Sequence, residues 1–221
     1  VIVKLFNRFN KFLEGEKLMV NTGSIIDATI VEVPIQRNTR EENKEIKAGK
    51  IPEKWKENPN KLRHKDTDAR WKKKGNVSYY GYQDIIKSTQ KYKFIKKYKS
   101  TSANVHESQV AEEMIDETDS GHTLYGDSAY NTPDIKESFK RLKIRGRINV
   151  KGCRYEQLTE KQRAENRKRS KIRCRIEHVF GFMTQSMKGL FIRCIGIKRA
   201  DGIIGLINLT YNLSRYIQVA Y

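Results

Sequence analysis

Three acids lying far apart along the chain, Asp27, Asp127 and Glu177, are the residues whose types could do chemistry together. Asp127 follows Asp27 by 100 residues, and Glu177 follows Asp127 by 50. Carboxylates are hard oxygen ligands that suit Mg²⁺ or Mn²⁺, and two such ions can clamp the attacking and leaving oxygens of an in-line phosphodiester displacement. Glu177 belongs to the stretch RAENRKRSKIRCRIEHVFGFMTQSMKG, where Arg163, Arg167, Lys168, Arg169, Lys171, Arg173 and Arg175 surround it with positive charge. A spacing of four puts Arg169, Arg173 and Glu177 on one helical face, beside an apolar stripe of Ile176, Val179, Phe180 and Met183. Two readings stay open at this level. Either a carboxylate is held on a rigid helix inside a cationic field, or Arg173 and Glu177 form an ordinary ion pair on a solvated face.

The elements that must position these acids follow from local pattern. Asn21–Val33 is rich in Ile, Val and Thr between Gly23 and Pro34, which predicts a strand with Asp27 inside it. A carboxylate in such a run needs a partner, a metal or an exposed edge, because burying it alone costs several kcal/mol. TLYGDSA, Thr123–Ala129, predicts a short strand ending at Asp127. No Gly or Pro interrupts 157–180, and Thr159 with Gln162 forms a capping box, so one long helix carrying Glu177 is expected. Val1–Leu13 shows helical spacing, and Thr39–Gly49 begins with a second capping-box pair, Thr39 and Glu42. Lys50–Gly75 reads as a long basic loop. Val77–Ser88 and Tyr92–Ala103 predict a hairpin, and Asn104–Thr118 a helix. Thr132-Pro133 opens a helix to about Lys143, and Ile144–Val150 is a further strand. Leu190–Ile197 is an extended return before a closing helix, Arg199–Tyr216. This order is that of an α/β fold with a mixed sheet. In it, the strands of Asp27 and Asp127 can lie side by side at the sheet centre, and the helix of Glu177 crosses their end.

Composition narrows the partner. Across 221 residues, 45 Lys and Arg oppose 26 acids, for a net charge of +19. The basic residues concentrate between Lys136 and Arg175, against Glu137, Glu156, Glu160 and Glu165 alone. A polyanion follows, most simply DNA or RNA bound with strong salt dependence. An anionic membrane surface is disfavoured, since the basic helix lacks a wide apolar face, and no window is long and apolar enough to span a bilayer. Lys72, Lys73 and Lys74, with Arg167, Lys168 and Arg169, are expected to touch phosphates rather than bases, because consecutive residues cannot all face one groove. Cys153, Cys174 and Cys194 form no CxxC pair and no zinc spacing, which fits reduced thiols in the cytoplasm. Trp55 and Trp71 could either stack on unpaired bases or pin the basic segment to the body, and Asp66 and Asp68 read as loop anchors. The chain begins at Val1 without an initiator Met, so a fragment lacking an N-terminal part is expected.

The stretches GSIIDATIVEVPIQRNTREEN, LYGDSAY, RIEHVFGFM and INLTYNLSRY resemble the DDE transposases of prokaryotic insertion sequences, closest to group five, over essentially the whole chain. The resemblance implies a ribonuclease-H-like mixed sheet flanked by helices, with a basic insertion at about residues 35–76 after the first strand. It also implies that 1–20 end an N-terminal helical region and that 21–221 form the catalytic domain. Two Mg²⁺ or Mn²⁺ ions would be held by Asp27, Asp127 and Glu177, for cleavage and strand transfer on double-stranded DNA at element ends. Arg173 matches the Arg of the related Y-(2)-R-(3)-E-(6)-K signature and would contact DNA. Ser170 and Thr184 depart from its Tyr and Lys, so those roles do not carry over; Lys188, one turn on, is the substitute candidate. A homodimer and a nucleoid-associated location follow by analogy. The rivals are a catalytically silent DNA-binding derivative and a nuclease that cuts without joining.

Overall fold

The computed structural model describes residues 1–20 and 22–220. Asn21, expected to open both the first strand and the catalytic domain, and Tyr221, expected to end that domain, lie outside the described residues. Six strands form one mixed sheet. They are β1 (Ser24–Glu32), β2 (Arg70–Lys74), β3 (Val77–Thr89), β4 (Ile95–Ser102), β5 (Thr123–Gly126) and β6 (Arg145–Ile148). β1 pairs antiparallel with β3 and parallel with β5; β2 and β4 pair with β3, and β6 pairs parallel with β5. The strands of Asp27 and Asp127 are therefore neighbours at the sheet centre, as expected.

The pleat of β1 sorts its side chains between two cores. Ile26, with Ile85 and Leu124, packs beneath α5 (Ser108–Met114) and α6 (Pro133–Arg141) through Val110, Met114, Ile135 and Phe139. Ile25, with Ile86 and Ile95, faces α1 (Ile2–Gly15), α8 (Arg175–Gln185) and α9 (Ile197–Ala220) through Phe6, Ile176, Val179, Met183 and Leu209. Asp27 shares the parity of Ile25, so it belongs to the side that α8 covers. The two asparagines of INLTYNL are structural: Asn208 Nδ2 donates to Asp84 of β3 at 3.0 Å, and Asn212 bonds Ile95 N, Ile95 O and Asn10.

Two expectations are corrected. The single helix of 157–180 is two, α7 (Glu160–Arg173) and α8, meeting at Cys174 without a Gly or Pro. Two different surfaces account for the break. α7 buries no residue and attaches to the end of β6 by polar bonds, Asn166 to the Val150 backbone and Arg169 to Ile148 O, whereas α8 turns Ile176, Val179 and Met183 into the core. The capping box at Thr159 forms as expected, with Gln162 N donating to Thr159 Oγ1 at 3.2 Å and Thr159 N to Gln162 Oε1 at 2.9 Å. Thr159→Ala should lower stability by about 1 kcal/mol, read as a reduced urea midpoint at unchanged slope.

The basic segment is the second correction. Thr39–Gly49 forms the helix its capping box announced, α2 (Arg40–Lys47), but Lys50–Gly75, rather than a loop, folds as α3 (Glu53–Lys56) and α4 (Pro59–Arg63) and then supplies β2 at the sheet edge. Trp55 is fully buried, its Nε1 donating to Glu42 Oε1 at 2.6 Å, so it pins these helices together. Asp66 anchors the following turn, accepting from Asp68 N, Ala69 N and the Tyr82 hydroxyl. Trp71 remains half exposed against Tyr80. The return from Leu190 is extended as expected: Glu32 N donates to Leu190 O and Ile192 N to Glu32 O, both at 2.9 Å.

Candidate active site

The interval of 100 between the aspartates is a register. Ser24 lies opposite Leu124 and Ile25 opposite Tyr125, so two residues further the same offset brings Asp27 level with Asp127. There β5 has ended. Asp127 caps a 3₁₀ turn, Ser128–Tyr130, its Oδ1 accepting from Ala129 N at 2.8 Å. Asp27 Oδ1 accepts from Ala28 N at 2.9 Å. From the covering helices, Arg173 reaches down between acids. Its guanidinium donates to Asp27 Oδ2 at 2.6 Å and to Glu177 Oε1 at 3.3 Å. Asp27, Asp127, Glu177 and Arg173 all line one cavity of about 490 Å³, together with Lys74, Phe180 and Glu107.

Burial is the main cause that raises the pKa of Asp27 to about 6; the Ala28 amide and Arg173 oppose it, while Asp127 and Glu107 add to it. Glu177 differs in exposure, with 59% of its side chain open against 14% for Asp27. Among the described residues, no group of three or more His, Cys, Asp or Glu is gathered closely enough to hold a metal ion. The expected convergence stops one guanidinium short: Arg173 joins Asp27 and Glu177. The donor set nevertheless fits a hard cation. It consists of carboxylate oxygens, Asp27 among them largely buried, with the Arg173 guanidinium supplying the positive charge between Asp27 and Glu177.

The expected cationic contacts divide. Lys74 lines the acidic cavity and also a neighbouring one of about 430 Å³ that contains Thr184 and Lys188. Thr29 belongs to both as well, so one groove leads from the acids to Lys188. Arg167 and Lys73 are exposed, and Lys168 is exposed beside Glu165 at 3.2 Å. Arg169 and Lys72 are engaged internally, Arg169 with the Ile148 carbonyl and Lys72 with Glu107 at 3.1 Å. His178 lines a further cavity along α8, which Glu177 also borders. Glu107 was missed by sequence reasoning. Its partners Lys72 and Gln83 lie 35 and 24 residues away, so no local spacing marks it.

Fold and site together define a mixed α/β protein with a carboxylate-lined cavity, bridged by an arginine, set in a strongly cationic chain. The chain belongs to the transposase DDE domain family, whose model matches residues 19–213. It is similar to the transposase for insertion sequence element IS1106 of Neisseria meningitidis serogroup B, with 27% identity over 175 residues. That match covers 79% of this chain and 58% of the relative, so the chain spans less than two thirds of the relative's length. No solved structure matches the chain. Among the described residues, no helix is long and apolar enough to cross a membrane.

Proposed function

We propose that this chain is the catalytic domain of an insertion-sequence DDE transposase, with a ribonuclease-H-like sheet, that cuts and joins double-stranded DNA with Mg²⁺ or Mn²⁺. The supporting observation is one cavity that receives Asp27 and Asp127 from adjacent parallel strands and Glu177 from the helix above, linked to Asp27 through Arg173. Asp27, Asp127 and Glu177 would hold two divalent ions. When bound, such ions would supply Lewis-acid stabilisation of the negative charge that builds on the phosphoryl and leaving oxygens.

The chain's own residues account for the rest. Phosphates approach along the groove between Lys74 and Lys188, while exposed Arg167, Lys168 and Lys73 add attraction that registers position rather than sequence. Arg173 carries a planar fork suited to a phosphate, and its two carboxylate partners hold that fork at the cavity. In the first step water attacks the scissile phosphorus and a 3′-hydroxyl leaves. In the second, that hydroxyl attacks a target phosphodiester and displaces the target's own 3′-oxygen. Neither step requires a covalent protein–DNA bond. Tyr130 and Ser128, which flank Asp127, serve packing and the local turn. Joining two element ends calls for two copies of the chain, a homodimer, acting on DNA of the nucleoid in the cytoplasm.

A plasmid assay with Mg²⁺ tests the reading. Joined products between a DNA end and the plasmid are expected. Nicked circles without joined product would leave a nuclease, and intact plasmid would leave a silent DNA binder.

A further inference from the structure

Glu107 immediately precedes α5 and enters the acidic cavity from the side opposite α8. Two strands hold it there. Lys72 Nζ of β2 at 3.1 Å and Gln83 Nε2 of β3 at 2.8 Å both bond Oε1, so neither commits Oε2. Tyr130 is fully buried against the same group of acids, and Glu107, Asp27 and Asp127 join burial in holding its phenol well above its usual range. In a chain of net charge +19, this cavity reverses the balance. Four carboxylates, Asp27, Glu107, Asp127 and Glu177, line it against two cations, Lys74 and Arg173. An ion pair serving only to fasten β2 to the sheet has no reason to sit among three further acids, where repulsion raises its cost.

We propose that Glu107 is a fourth carboxylate of the divalent-cation site, a positioning residue whose charge strengthens cation binding and is tuned by Lys72. The proposal rests on the transposase reading above. Through it the basic insertion becomes part of the site, since β2, which carries Lys72, is the last element of that segment. The two partners must then act with opposite sign. Removing the carboxylate weakens attraction for a cation, and removing the ammonium strengthens it.

The test is Mn²⁺ titration of the whole chain, following free Mn²⁺ by electron paramagnetic resonance, with circular dichroism as a check of folding. Glu107→Gln keeps the acceptor for Lys72 and Gln83 and should weaken Mn²⁺ binding about tenfold, the scale seen when a partner outside the ligand set is lost. Lys72→Met should tighten binding severalfold. Asp27→Asn should remove most of it. If Glu107→Gln binds Mn²⁺ like the parent, or Lys72→Met binds it more weakly, Glu107 is a structural brace and the inference fails alone. If the parent takes up no Mn²⁺, or Asp27→Asn is indifferent, the metal-dependent reading of the site fails with it. Fe²⁺-directed hydroxyl-radical cleavage gives an independent readout: the parent should be cut beside Glu107, and the absence of that cut would overturn the assignment.

Discussion

Asparagine at Asp127 is expected to abolish DNA cleavage and joining, by about 10³-fold or more, while DNA affinity at fixed salt stays within about twofold. The size follows from the site's task. On the proposed reading, losing this carboxylate would loosen the hold on a cation that stabilises several kcal/mol of developing negative charge, and each 1.36 kcal/mol is a factor of about ten in rate. The selectivity follows from geometry. Asp127 fastens its own turn with one oxygen, Oδ1, to Ala129 N at 2.8 Å, and an asparagine carbonyl keeps that bond. Alanine would also remove the cap and cost about 1 kcal/mol of local stability, so asparagine gives the cleaner test. On the proposed reading, DNA affinity would rest mainly on Lys and Arg contacts with phosphate, to which a carboxylate adds nothing favourable. The measurement pairs plasmid cleavage with a salt-titrated binding curve for each variant. If cleavage and binding fall together, Asp127 shapes the fold and the carboxylate site is misassigned.

The parts of this site that were legible in the sequence are those where local chemistry and position coincide. Asp27 interrupts a β-branched run, Asp127 follows the end of a second strand, and the parallel pairing of the two strands carries their interval of 100 as its register. Thr39 with Glu42, and Thr159 with Gln162, announce helix starts through bonds that close within three residues. What could not be read depends on distant partners. β2 is RWKKK, a sequence whose charge suits an exposed sheet edge but whose composition suggests a loop. Trp55 is buried because Glu42 waits thirteen residues earlier with a matching acceptor. Glu107 looks like any acid near a helix start until Lys72 and Gln83 arrive from other strands. The break at Cys174 has no local signal either; it arises because the residues before it bind a strand end and those after it join the core. Glu177 stands just past that break, so the direction in which its side chain is held depends on the break and could not be read from helical spacing alone.

Asp84 should make the protein lose stability as pH rises through neutrality. Its carboxyl is fully buried on β3, and burial, with Asp201 adding to it, lifts the pKa from 3.8 to about 8, against the opposing bond from Asn208. In the unfolded chain the group ionises near its ordinary value. Between roughly pH 4 and pH 8 the folded state therefore holds a proton that the unfolded state has released, and stability falls with each pH unit. Below that window both forms are protonated and above it both are charged, so the loss levels off. Its ceiling is on the order of 5 kcal/mol, at 1.36 kcal/mol per unit. The geometry agrees with a neutral acid. Asn208 Nδ2 donates to Asp84 Oδ2 at 3.0 Å, while Asp84 Oδ1 and Asn208 Oδ1 are buried acceptors without a partner among the described residues. A proton on Asp84 turns one of those acceptors into a donor and completes the pair. Asp84→Asn supplies the same donor permanently, so it should be near neutral at pH 5 and stabilising by several kcal/mol at pH 8 to 9. Urea unfolding across that range decides the matter: the two stability curves must diverge as pH rises, and parallel curves would show that Asp84 is already ionised in the folded protein.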